Sequence, residues 1–418
     1  MIYRSFVFVC CLYLCHPSVV FSGDDELKTK VARLVELLKD PAKRIGAETE
    51  LIKLGPDILP LLPDADGRLT PEQRKSLASI RRDLNQALVV RDLKPRRVTI
   101  EKKGISLNEV LAAIQKQTQL RVDNRSETNP KLSLALKDVP FWQAVDSLAK
   151  EADVNVSLYE SDGVIALRPG PWRALPVSYD RLFRVVVKRL TSVRDLESGA
   201  HLCSIELELA WEPRFYPLFI ENNFEELVVR DDQGVRLDAP KGAKRRDAIT
   251  GQLTTQVWVH LPAPHRKVER LKLLKGTVAV VGSSRMLEFV FDKLEPGKPS
   301  TQTQNGIRVT LRKLTAADAT WLADFRLEYP TEGPDFESFE SWLIHSKAFV
   351  QNKGGERFPA GGREIDNQTG QKADIKYIFV EEDGLKLTSP ADWKIVYLTP
   401  GRIARVPVKF EFTDLPLP

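Results

Sequence analysis

Few residues in this chain have the types and spacing that chemistry needs. Beyond the first 22 residues the histidines are His201, His260, His265 and His345. They are scattered, and none has metal-ligand spacing such as HxxxH. No GxSxG, Walker loop, GxGxxG or HExxH occurs, so no hydrolase elbow, phosphate cradle, dinucleotide turn or zinc-protease helix is written in the chain. A hydrolase built from residues distant in sequence is the enzymatic reading that remains open. The leading expectation is a non-enzyme with no cofactor and no metal.

Four weaker signals each have a plainer reading. Cys203 lies in the strand-like run HLCSIELEL with no motif to activate it, and reads as a buried apolar residue. Asp64-Ala65-Asp66-Gly67-Arg68-Leu69-Thr70 resembles the middle of a calcium loop. Its first ligand position falls on Leu62 and its bidentate twelfth on Gln73, so a turn into a capped helix explains it better. Lys241, Lys244, Arg245 and Arg246 (in KGAKRR), and the cluster Lys94-Pro95-Arg96-Arg97, are basic enough to touch an anionic surface, although loop charges are usually just solvated. Seven tryptophans sit mostly inside apolar alternation, which core packing explains. A row of exposed ones on one sheet face would instead bind sugar rings.

Composition bounds the class. The 418 residues are 42% hydrophobic and 28% charged with a net charge of +5, a globular chain of several domains. That mild bias gives no case for nucleic acid. Arg4 followed by the apolar Ser5–Cys15, then Pro17, Val20 and Ser22, reads as a secretory signal with cleavage after Ser22. The apolar run is too short to span a bilayer, and no later segment is long and apolar enough. An uncleaved anchor is the rival reading.

The elements that must position any site come in three blocks. Residues 23–94 carry helical stripes: Leu27, Val31, Leu34, Leu38, then RIGAETELIKLG ending at Gly55-Pro56. A third helix opens on Thr70-Pro71-Glu72-Gln73, a capping box. The spacing of Arg44, Ala47, Leu51, Leu54, Gly55, Leu59, Pro60 and Leu62 resembles a HEAT-type repeat. One or two such units must pack on a neighbour or present a groove. Residues 95–170 contain a gapless repeat: Val98–Val122 returns as Leu132–Val156, each copy alternating, then helical, then alternating. Each therefore reads strand–helix–strand. Ser106 and Glu109 cap the first helix and Pro140 opens the second.

Over residues 98–168 these motifs (VTIEKKGISLNEVLAAIQKQTQLRV, LSLALKDVPFWQAVDSLAKEADVNVSL and GVIALRP) resemble the short N-terminal domain of secretins and TonB-dependent receptors. The resemblance implies a periplasmic domain that makes protein–protein contacts. No secretin or receptor barrel follows it. Trp142 stands about 100° round the helix from core residue Phe141, at the rim of the core. Two roles are open to it: an interdomain contact on the preceding helical segment, or an anchor for a partner.

From 177 onward the chain alternates in short strands. VVVKRLT (Val185–Thr191) returns as VTLRKLT (Val309–Thr315), LELAW (Leu207–Trp211) as FRLEY (Phe325–Tyr329), and FVFDKL (Phe289–Leu294) as FEFTDL (Phe410–Leu415). This predicts two tandem β-sandwiches, 177–296 and 305–418, joined by a flexible hinge at Glu295–Gly306. The expected whole is a multidomain α+β protein: helical segment, βαβ–βαβ domain and two sandwiches. Its expected role is an exported docking protein of a diderm bacterium's periplasm or cell envelope, with protein partners. Polysaccharide or cell-wall binding is the second expectation.

Overall fold

The helices begin and end where their sequences dictate. The computed structural model describes residues 23–63, 69–160, 163–239, 246–249, 253–317, 319–329, 343, 345–369, 371–382, 384–401 and 403–418. The signal-like residues and 64–68 of the calcium-like loop lie outside them. Helix α1 spans Gly23–Leu37 and α2 spans Arg44–Lys53. A 3-10 turn (Pro56–Leu61) and α3 (Pro71–Asp92) follow. Gly55, at φ 83°, makes the left-handed exit from α2 that a side chain would resist. Ahead of α3, the Thr70 hydroxyl accepts the Gln73 amide at 3.2 Å while the Gln73 side chain accepts the Thr70 amide at 3.1 Å. Val31, Leu38, Leu51, Ile58, Ile80 and Leu84 are the buried stripes of one core. The chain divides into two compact units after Leu88. The helical segment and the α/β domain therefore fall in different units. Leu93, the residue after α3, belongs to a β-rich core rather than the helical one.

In the second unit the strand–helix–strand repeat is present twice, as β1 (Arg97–Ser106), α4 (Leu107–Thr118), β2 (Val122–Asn124), then β3 (Lys131–Pro140), α5 (Phe141–Ala152), β4 (Asn155–Ser157), with β5 (Ile165–Arg168) last. The Ser106–Glu109 capping box forms, and Pro140 is the N-cap of α5. Strands β1 and β3 pair antiparallel, while β5 lies parallel to β2 and antiparallel to β4. Leu107, Val110, Ile114, Phe141, Val145 and Leu148 fill the core between helices and strands.

The rest of the chain is β-rich. The strands are β6 (Val177–Asp180), β7 (Phe183–Arg194), β8 (His201–Trp211), β9 (Tyr216–Asp231), β10 (Arg246–Ala248), β11 (Thr254–Pro262), β12 (Arg270–Ser283), β13 (Met286–Phe291), β14 (Ser300–Gln304), β15 (Ile307–Ala317), β16 (Thr320–Glu328), β17 (Lys347–Gln351), β18 (Arg357–Pro359), β19 (Gly362–Thr369), β20 (Lys372–Val380), β21 (Lys394–Pro400) and β22 (Ile403–Pro416). A first β body has two sheets on one core, ordered β11-β8-β7-β6 and β10-β9-β12-β22. A second repeats the plan as β14-β15-β16-β20-β19 and β13-β21-β17-β18.

The sheets do not follow the division at 296/305. Strand β22, from the second half, pairs with β12 of the first body, and β13, from the first half, pairs with β21 of the second. These are the strands that carry the matching FVFDKL and FEFTDL runs, so the two copies have exchanged equivalent strands. The pairings form one antiparallel ribbon in a single register, from Arg270 opposite Pro416 to Phe291 opposite Ile395. At the crossing the Gly401 amide donates to the Arg285 carbonyl at 2.8 Å. The expected hinge is not bare linker either, because β14 within it pairs with β15. Alternation specifies which face a strand buries but not which strand it pairs with, so both readings missed the exchange.

Candidate interaction surface

Alternation gives the β6–β7–β8–β11 sheet an inner and an outer face. Val185, Val187, Ile205, Leu207, Leu209, Val257 and Val259 point into the core of the first body. Their neighbours Arg184, Val186, Glu208 and Ala210 point outward. That outer face should be wet, yet Val186 and Ala210 are fully buried, because helix α5 of the α/β domain lies on it. Trp142 is 2% exposed. Its indole N–H donates to the Leu182 carbonyl at 3.0 Å. Ala210 and Leu253 join the core of the α/β domain. Trp142 is thus seam material, and its contact is with the β body that follows it in sequence.

A polar network locks the same seam. The Arg184 guanidinium grips Asp146 of α5 in a bidentate pair, at 2.8 and 3.0 Å. It also lies over the Trp142 ring, 6.0 Å from the centroid. The Tyr179 hydroxyl donates to Asp146 at 2.6 Å. Burial, then the Asp146 charge, push the Tyr179 hydroxyl well above its ordinary pKa. At the rim Tyr159 donates to Glu208 at 2.7 Å. Its pKa is pushed up to about 12, by burial first and then by that carboxylate. A buried ion pair whose remaining hydrogen bonds are satisfied fixes one docking geometry more than it adds stability.

Past Tyr159 the outer face is open. Cross-strand register sets out three rows: Arg189–Glu206–Trp258, Thr191–Ser204–His260 and Val193–Leu202–Pro262. Trp258 is 40% exposed, Leu202 47% and Val193 54%, with Leu196 at the adjoining β7–β8 turn 87% exposed. Sequence reasoning missed this patch. Its signal was present in part, since Val193, Leu202 and Trp258 each break the polar side of an alternating strand.

The other sequence-derived candidates are placed as follows. Lys241, Lys244 and Arg245 lie outside the described residues. Arg246 lies over the Phe219 ring at 5.1 Å and 3.8 Å from Glu221, so it is engaged within its own body. In the 94–97 cluster, Arg97 pairs with Asp138 at 2.7 Å, and the Arg96 amide donates to buried Glu212 at 2.9 Å. Burial pushes the Glu212 carboxyl up, against the pull of Arg214. Trp211, Trp321 and Trp393 are buried, Trp172 is half-buried under Lys150, and Trp342 lies outside the described residues. Cys203 is buried and free, its thiol pushed up by burial.

Chemically the surface offers recognition groups. His260 contacts Ser204 and His201 contacts Ser192, each at 3.0 Å and exposed. A Ser–His contact needs a third group to orient the imidazole before it activates the hydroxyl, and the described contacts of neither histidine include one. Among the described residues no group of three His, Cys, Asp or Glu side chains could hold a metal. A cleft of about 400 Å³ in the second body, beside Ser346, Lys347, Arg363 and Tyr377, has no carboxylate among its described lining residues. Its Arg363 donates to the Leu343 carbonyl at 2.7 Å. Among the described residues no helix is long and apolar enough to cross a membrane.

Comparison with known proteins leaves the geometry to speak for itself. No family model matches the chain, and no curated protein does. A conserved domain protein from Bacillus anthracis aligns over 57% of this chain and 89% of its own at 10% identity, with a TM-score of 0.19. A serine-rich repeat adhesion glycoprotein from Streptococcus agalactiae aligns over 52% and 89% at 10% identity, with a TM-score of 0.10. At such scores neither carries an argument about fold or function.

Proposed function

We propose that this chain is an exported, non-enzymatic docking protein of a bacterial cell envelope, and that it binds protein partners through the open outer face of its first β body. On this reading residues 95–170 are a domain like the short N-terminal domain of secretins and TonB-dependent receptors, and the two β bodies are strand-exchanged β-sandwiches. The observation that supports it is the exposed outer face beside the seam, where Val193 and Leu202 adjoin Leu196 of the turn and Trp258 stands two rows away across Thr191, Ser204 and His260. Exposed apolar side chains gathered on one sheet face are what an interaction surface offers. The sugar-binding alternative calls for a row of exposed Trp or Tyr, and among the described residues this face offers two, Trp258 at 40% and Tyr159 at 52% exposure.

Site-specific photo-crosslinking in intact envelopes tests the docking reading. A photoreactive residue at Leu202 should give one adduct of defined mass, and that adduct should fall at least tenfold when Val193→Asp is added. The same probe at Thr310, on the corresponding face of the second body, should give none. Equal labelling at both positions, or an adduct indifferent to Val193→Asp, would overturn the proposal.

A further inference from the structure

The two β bodies share a plan but differ at one edge. In the second, β20 is followed outward by β19, which pairs with it from Gly362 opposite Ile378 to Thr369 opposite Lys372. In the first, the equivalent strand β11 is outermost, and among the described residues it pairs with β8 alone. Chain length accounts for the difference. Residues 360–371 separate β18 from β20, enough for an added strand, whereas only residues 249–253 separate β10 from β11.

The edge chemistry differs in the same sense. Exposed edges are usually protected by charge, because an unpaired row of N–H and C=O groups invites another strand. The outer strand of the second body has that protection in Arg363, Glu364 and Asp366. Strand β11 reads Thr-Thr-Gln-Val-Trp-Val-His-Leu-Pro, with no Lys, Arg, Asp or Glu, and its sole guard is Pro262 at one end.

We infer that β11 is completed by β11 of a second copy of this chain, running antiparallel about Trp258. The argument for that occupant is self-complementarity. Centring the pair on Trp258 sets inner-facing Val257 opposite Val259 and outer-facing Gln256 opposite His260. Thr254 falls opposite Pro262, so the missing proline N–H lies at the end of the ladder. The pairing sets Val257 against Val259 twice around Trp258 against Trp258, so β-branched and aromatic pairs meet at the centre, with no charge in either strand to oppose it. Such a contact is isologous and closes with two copies. It would join two four-stranded sheets into one and take Trp258 out of the docking patch, leaving Val193, Leu196 and Leu202 for a partner. This inference does not rest on the docking proposal, since it concerns the strand edge and is read by a different measurement.

Sedimentation velocity of the full chain over a concentration series tests it, with two double variants. Gln256→Lys/His260→Lys sets lysine opposite lysine twice, whereas Gln256→Lys/His260→Glu sets lysine opposite glutamate. The wild-type chain should dimerise. The Lys/Lys variant should weaken the dimer about tenfold or more, and the Lys/Glu variant should hold it within a few-fold. The altered side chains are exposed, and an unchanged melting temperature shows that each variant folds. A wild-type chain that is monomeric throughout, leaving the edge free or reserved for another protein's segment, would overturn the inference. So would a dimer indifferent to Lys/Lys, or one lost equally in both variants.

Discussion

The same sheet position in the two β bodies has opposite fates. Arg184, Val186, Glu208 and Ala210 of the first body correspond through the internal repeat to Arg308, Thr310, Arg326 and Glu328 of the second. In the first body this face carries a docked domain, with Val186 and Ala210 fully buried. In the second it closes its charges within the sheet, with Arg326 on Asp374 at 2.8 Å, Arg312 on Asp374 at 3.1 Å and Lys372 on Glu328 at 2.9 Å. Trp258 and Gln256 have Lys376 and Asp374 as counterparts. The difference teaches that a duplicated backbone does not carry its interactions with it. Two small apolar residues and one arginine left to seek a partner off the sheet turn a solvated face into a seam.

The largest expected effect breaks that seam. Trp142→Ala should lower stability by about 3–5 kcal/mol, the scale for truncating a buried aromatic. Asp146→Ala, which removes the bidentate partner of Arg184 and leaves it only a 3.7 Å contact with Glu208, should cost about 2–4 kcal/mol. The two should be less than additive because they share one network. Chemical denaturation of both single variants and the double checks this, and an effect under 1 kcal/mol for either would dissolve the distinction between the faces.

Next comes the crossing between the bodies. A Cβ on Gly282 would lie 2.6 Å from the Tyr216 carbonyl oxygen and 2.7 Å from the Pro217 Cα, and backbone atoms cannot swing aside. Gly282→Ala should cost about 1–3 kcal/mol, while the same change at Gly46 in α2, with open space around it and a helical backbone, should cost nothing.

A smaller effect titrates the same place. His345 of the second body contacts the Pro217 carbonyl of the first at 2.8 Å, and burial lowers its pKa below the ordinary 6.5. A histidine held neutral by the fold gives stability that is fully present above the unfolded pKa and is lost as pH falls below it. Stability should therefore decline from pH 7 toward 5, and His345→Gln should flatten that part of the profile. An unchanged slope would remove His345 from the account. Smallest of all, Lys372→Ala, which removes a well-exposed partner of Glu328 on the solvated face, should cost no more than about 1 kcal/mol, the scale of exposed ion pairs, in a thermal melt that resolves the seam variants easily.

Much of the fold was legible because its signals are local. The Thr70–Gln73 and Ser106–Glu109 boxes form as their spacing requires, and Pro140 opens α5. The repeat in 95–170 appears as two strand–helix–strand units. What escaped was non-local. FVFDKL and FEFTDL were matched as equivalent strands, but nothing in either run says that each completes the other's body. The glycine- and proline-rich 295–306 stretch looked like pure linker, yet Ser300–Gln304 is a strand. For the surface, Trp142 was readable as a rim residue from one helical step. Its acceptor, the Leu182 carbonyl, lies 40 residues away, and no periodicity reports that. The basic run that looked most like a contact site contributes Arg246 to its own sheet.

The interlocked ribbon is the feature on which the platform depends, and one engineered cross-link tests it most directly. Lys275 and Glu411 are exposed, opposite one another on β12 and β22, with a 3.2 Å ion pair between them. In the Lys275→Cys/Glu411→Cys variant, mild oxidation of the native protein should form an intramolecular disulfide between the two halves, detected by mass after proteolysis, with the chain still folded. If the variant folds and melts like the wild type but residues 275 and 411 do not bond, β22 belongs with its own half, and the exchanged-strand account fails.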